Sequence, residues 1–193
     1  KMDFLYRKHP KGSYEHAKYK RMVDIIITIF LFLLSLGLFV IGYVATGSKK
    51  NLLTIVAVLG LLPACKMVVD VIMCFRIKPV EESVKEGIDA SIGKLYGLYH
   101  MYFTSYDKNF PIDHLVITSN SVIGLCSNPK FDEKLFITHL KDYMRKDGIK
   151  DITIKIFDDY NKYLNRLSEI NNLDDETTTV NIGVRNLILN ITF

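Results

Sequence analysis

Residues 25–44 read IIITIFLFLLSLGLFVIGYV, a stretch without a charged side chain. A run of that kind matches the roughly 30 Å hydrocarbon core of a bilayer, which takes about 20 residues of helix to cross. Its Gly and Ser are tolerated, because a helix pairs its backbone groups within itself. Residues 51–75, NLLTIVAVLGLLPACKMVVDVIMCF, form a second long run, interrupted by Pro63, Lys66 and Asp70. Two spanning helices joined by the short turn TGSKKN are therefore expected, an antiparallel hairpin over 23–76. Three segments follow: a basic leader over 1–22, the hairpin, and an α/β domain over 77–193.

The first apolar run is too long for a secretory signal core and follows a polar leader, so no cleavage is expected. The leader carries Lys1, Arg7, Lys8, Lys11, Lys18, Lys20 and Arg21 against Asp3 and Glu15, whereas the turn between the runs carries Lys49 and Lys50. Positive charge favours the cytoplasmic side, which places both termini there and only the turn outside, in a multi-pass protein of the cell membrane. The formal excess of +4 is concentrated in the leader. It suits anionic lipid headgroups, reached by Lys18, Lys20 and Arg21, better than nucleic acid. Segment 13–22 reads either as a short interfacial helix or as a solvated leader. Cys65, Cys74 and Cys126 have no metal-like spacing, so neither a disulfide framework nor a metal site is expected.

Beyond Arg76 the pattern changes. Val80, Val84, Ile88 and Ile92 recur at helical spacing. Three strand-like runs follow, at 95–103, 112–119 and 121–127, the last two separated by a tight turn at Asn120. Residues 131–146 form an amphipathic helix with Asp132 and Glu133 in its first turn and Arg145 and Lys146 in its last, as the helix dipole favours. DITIKIF (151–157) alternates like a strand, 159–170 reads as a helix, and DDETTT as a polar connector. In the tail, Val180, Ile182 and Val184, then Leu187, Leu189, Ile191 and Phe193, fall on alternate positions, which predicts a bulged strand or hairpin.

This order, α-β-β-β-α-β with an extra C-terminal helix and strand, resembles the core of the restriction-endonuclease-like superfamily over roughly residues 80–157. Locally, Ile112-Asp113-His114-Leu115-Val116-Ile117 followed by Asn120-Ser121-Val122-Ile123 is similar to the nuclease-related domain called NERD. The resemblance implies that Asp113 opens a metal site completed by a Glu-x-Lys on the next strand. In this register those positions hold Cys126 and Asn128. Mg²⁺ prefers hard oxygen ligands, so a soft thiol and a neutral amide leave the site without its second carboxylate and its cation. A working nuclease would have to recruit Asp132 and Glu133 beside Asp113, with Mg²⁺ as cofactor. Otherwise there are no catalytic residues and no cofactor.

Lys66 and Asp70, four apart, share a helix face and form a candidate intramembrane polar pair. His100, His114 and His139 lack ligand spacing and read as surface or packing residues. Tyr96, Tyr99, Tyr102 and Tyr106 read as packing residues rather than a base-stacking platform. No phosphate loop or nucleophile elbow is present. Three functions stay open: a membrane-anchored, non-catalytic binding or assembly module with a degenerate nuclease-like domain; a membrane-tethered metal-dependent nuclease acting on nucleic acid; and a small transport or channel subunit. Expected partners are membrane lipid and either a second copy or another protein, contacted through the C-terminal tail as an exposed edge strand.

Overall fold

The computed structural model describes residues 9–105, 108–173 and 175–192. Lys1, Arg7 and Lys8 of the basic leader, Tyr106 and Phe193 lie outside them. The chain forms two compact units, Lys1–His9 with Glu15–Ile77 and Pro10–Tyr14 with Lys78–Phe193.

The first unit is a helical hairpin. Helix α1 spans His16–Thr46 and ends at Gly47, whose positive φ of 64° places its N–H on the Tyr43 carbonyl. Helix α2 spans Leu52–Arg76 and is capped by Asn51, whose side chain accepts the Thr54 N–H. Both helices are long and apolar enough to cross a membrane. Among the described residues no separate interfacial helix precedes α1: from His16 onward nothing breaks the helix, so the end of the leader and the first span are continuous. The helices meet through small and polar residues. Asp24, Ser35 and Gly42 of α1 and Ala57, Ala64, Met67 and Cys74 of α2 are buried. A Cβ added at Gly60 would lie 2.8 Å from Ser35 Oγ. Such side chains let helix backbones approach closely where burial of apolar surface gives no driving force. The large apolar side chains point outward instead, with Phe30 63% and Leu62 67% exposed.

The second unit is a three-layer α/β/α domain. Its elements are α3 (Glu82–Ile92), β1 (Tyr96–Thr104), β2 (Asn109–Ile117), β3 (Ser121–Leu125), α4 (Glu133–Lys146), β4 (Thr153–Phe157), α5 (Tyr160–Asn171), α6 (Asp175–Thr178) and α7 (Ile182–Ile191). The sheet runs β1-β2-β3-β4. Short connections make the first two pairings antiparallel, while the α4 crossover makes β3 and β4 parallel. Phe136, Leu140 and Met144 of α4 with Val184, Leu187 and Ile188 of α7 cover one face. Ile88 of α3 with Tyr163, Leu167 and Ile170 of α5 cover the other.

Successive strand residues normally point to opposite faces. Here Leu98 and Met101 of β1 face the same core, as do Ile112 and Leu115 of β2. Both strands switch phase at one step, where His100 and Asp113 would pair but do not. His100 takes a left-handed φ of 54° there, and its Nε2 accepts the Val80 N–H at 3.0 Å.

The tail is a helix, not the predicted strand. Asn181 caps α7 by accepting the Val184 N–H, and Val184, Leu187 and Ile188 are buried at spacings of three and four. Val184, Leu187, Ile188 and Ile191 also recur at helical spacing, and the capped, core-facing helix wins. What remains of strand character is one bridge between Thr192 and Phe103.

That bridge lies on the outer side of β1. A few residues along, the Gly12 carbonyl accepts the Tyr99 N–H at 2.8 Å. Lys11 Nζ donates to the Leu189 carbonyl at 2.8 Å and also to the Thr192 carbonyl. Tyr14 donates to the Val80 carbonyl at 2.9 Å and meets Tyr99 edge to face. Pro10–Tyr14 is thus a strap that, with the end of α7, closes the open edge of the sheet. The leader expected as one segment over 1–22 is divided, and the hairpin is inserted into the α/β domain.

Candidate functional site

Asp113 sits where the strands switch phase. Its Oδ2 accepts the Ser127 N–H at 2.6 Å, a charge-assisted bond that fixes the chain as it leaves β3. Cys126 is buried, and its thiol donates to the Pro111 carbonyl at 3.0 Å. Burial pushes that thiol up to about 11. The Asn128 side chain accepts the Lys130 N–H. Asp132 caps α4 through the Leu135 N–H at 3.1 Å, and that bond, with Lys108 nearby, holds its carboxyl below the usual range. Glu133 reaches the Ile156 N–H at 3.5 Å. Asp113, Asp132 and Glu133 are each engaged with a backbone amide. Among the described residues no three His, Cys, Asp or Glu side chains gather as a metal would require. A neutral, buried thiol and a neutral amide make the set unfit for Mg²⁺, which takes hard oxygen donors.

A polar chain on the α3/α5 side escaped sequence reasoning. Lys85 pairs with Asp89 at 2.9 Å, and Asp89 accepts the Tyr99 hydroxyl at 2.6 Å. The Tyr99 ring lies 4.4 Å from that of His114. His114 Nδ1 and the Tyr163 hydroxyl share a 2.6 Å hydrogen bond. His114 Nε2 is buried, without a hydrogen-bond partner among the described residues. Burial pushes the imidazole down to about 3 and the Tyr163 hydroxyl well up. Near neutral pH burial favours the uncharged form of both. The signal lay in His114 itself: a histidine inside the run Leu-Val-Ile must find a polar partner when buried.

At the open end of the hairpin, Lys20 pairs with Asp24 at 3.0 Å. The Cys74 thiol faces the same carboxylate at 3.5 Å. Arg21 donates to the carbonyls of Cys74 and Ile77 at 3.1 and 3.3 Å and stacks on Phe75. Of the three expected headgroup ligands, Lys18 is exposed, while Lys20 and Arg21 turn inward. The cause is local: Asp24 stands one turn ahead of Lys20, and the end of α2 offers carbonyls without helical partners. Lys66 is exposed and Asp70 half-buried, and no ion pair joins them within 4.0 Å among the described residues.

No protein-family model, curated protein or solved structure matches the chain. The class is defined by the architecture alone: an apolar two-helix hairpin inserted into a small α/β domain with a mixed four-stranded sheet.

Proposed function

We propose that this chain is a membrane-anchored, non-catalytic binding or assembly module whose α/β domain is a degenerate nuclease-like fold facing the cytoplasm. The carrying observation is the 2.6 Å bond from the Ser127 N–H to Asp113. It gives Asp113 a structural task, at the position where the resemblance expects a metal ligand. The element order α3-β1-β2-β3-α4-β4 agrees with that resemblance. Membrane anchoring is supported by the outward-facing apolar side chains of both helices, which lipid would cover. A shared compartment for the segments before and after the hairpin is supported by the strap, which folds with the α/β domain, and the basic leader favours the cytoplasm as that compartment.

The test is an assay of purified full-length protein with single- and double-stranded DNA and RNA in Mg²⁺ or Mn²⁺. No cleavage is expected. Metal-dependent cleavage abolished by Asp113→Ala would overturn this reading in favour of the tethered nuclease.

A further inference from the structure

Helix α2 carries a second stripe besides the one that meets α1. Ala57, Ala64, Met67 and Cys74 are buried against α1. Leu59, Pro63, Lys66 and Asp70, at spacings of four, three and four, lie about 100° further round the helix. This stripe is polar where lipid would demand otherwise. Lys66 is exposed and Asp70 half-buried. Pro63 lies inside the helix and has no N–H, so the Leu59 carbonyl on the same stripe loses its helical donor. Lys66 stands ten residues before Arg76, about 15 Å along a helix, or half of a roughly 30 Å hydrocarbon core.

We infer that this stripe packs against the same stripe of a second copy of the chain, with Lys66 of each copy paired to Asp70 of the other. The inference rests on the membrane-anchored reading. Its basis is charge complementarity. A two-fold axis along the membrane normal sets equal residues level with each other and makes the surface self-complementary. Asp70 then lies one helical turn, about 6 Å, from the partner's Lys66 level, within reach of a lysine side chain. Ionisable residues at membrane depth pair with one another or line polar cavities. Within one chain the two side chains form no ion pair among the described residues, unlike Lys20 with Asp24 and Lys85 with Asp89 at the same spacing.

The test uses full-length protein in lipid nanodiscs, with mass read by native mass spectrometry and two tags separating the copies. Wild type is expected to be a dimer. Lys66→Asp alone leaves the stripe wholly acidic and Asp70→Lys alone leaves it wholly basic, so each weakens dimerisation at least tenfold. Co-expressed, the two variants form a mixed dimer, which pairing within a chain does not explain. A Lys66→Met, Asp70→Leu double variant, which lipid accepts readily, should also dimerise at least tenfold more weakly. The inference is overturned by a monomeric wild type, by dimers that the charge variants or the apolar variant leave undiminished, or by co-expressed variants that stay apart. Capture of a different membrane protein by a monomeric wild type overturns it as well. Alkaline extraction of wild-type membranes reads the underlying anchor separately: protein released there defeats the membrane reading itself.

Discussion

The Tyr99 amide donates to the Gly12 carbonyl at 2.8 Å, so a residue that precedes the hairpin completes an edge strand that follows it. Gly12 holds a φ of +91°, and a Cβ there would run into the Leu98 side chain. Gly12→Val is therefore expected to eject the strap and to destabilise the α/β domain by about 1–3 kcal/mol. Amide exchange of the full-length protein checks this. Tyr99 should lose at least tenfold more protection in the variant than Leu115, inside the sheet, which loses only what the lower stability of the domain dictates. Equal Tyr99 protection in both proteins would refute the strap.

The same relationship bears on sidedness. Segments on either side of an insertion that fold as one unit must share a compartment, which requires an even number of crossings. Ser48 and Asn186 are both exposed. With Ser48→Cys, an impermeant maleimide should label the turn from outside intact cells. With Asn186→Cys, labelling should need permeabilised cells. The reverse pattern would invert the orientation.

Removing the Asp113 carboxylate should act on folding. Its bond to the Ser127 N–H is charge-assisted, and its loss is expected to cost about 1–2 kcal/mol. Asp113→Asn, which keeps an acceptor oxygen, should recover part of that in urea unfolding. A stability unchanged by Asp113→Ala would show that the bond contributes nothing and would leave the role of Asp113 open.

His114 gives the domain a specific acid sensitivity. Its pKa falls from 6.5 to about 3 on burial, beneath Tyr99, Asp89 and Tyr163 and near His100. The native state thus binds fewer protons than the unfolded state between those values. The contribution is fully present above 6.5, and it is lost as pH falls toward the folded pKa. The slope from this one group is at most about 1.4 kcal/mol per pH unit. Replacing both partners, His114→Leu with Tyr163→Phe, leaves no orphaned polar atom and should flatten the acid limb of stability against pH. Urea midpoints between pH 4 and 7 measure it. Parallel curves for the two proteins would show that His114 is not held neutral.

The sheet and the helices packed on it were legible because periods of two and near four separate cleanly in 96–125 and 133–171. The phase switch at His100 and Asp113 was not, because alternation read from either end of each strand looks regular. Asp113 could be located, but its partner is a backbone amide fourteen positions away, which side-chain patterns do not encode. His114 and Tyr163 lie 49 positions apart on different elements, and only the fold brings them together. The strap has five residues and no periodicity. Lys20 and Asp24 were within reach of sequence reasoning, since an acid four residues after a base at the start of an apolar helix needs an inward partner.

The tail is where the two periods collide, and single substitutions separate them. On a strand, Ile182 and Val184 would share a face, as would Leu187 and Leu189, and Ile188 would point away from the latter pair. In α7, Ile188 is fully buried and Ile182 is 63% exposed. Ile188→Ala is therefore expected to cost about 2–4 kcal/mol, the range for emptying a packed core position. Ile182→Ala should stay within about 0.5 kcal/mol, as surface changes do. Deleting 182–193 removes Val184, Leu187 and Ile188 from the core and also the carbonyls that hold Lys11. The α/β domain should then unfold, rather than persist and shed a partner. Thermal unfolding of the full-length variants, read with crosslinking in detergent, gives the answer. A truncated domain that melts like wild type but loses an intermolecular crosslink would restore the tail as an assembly element.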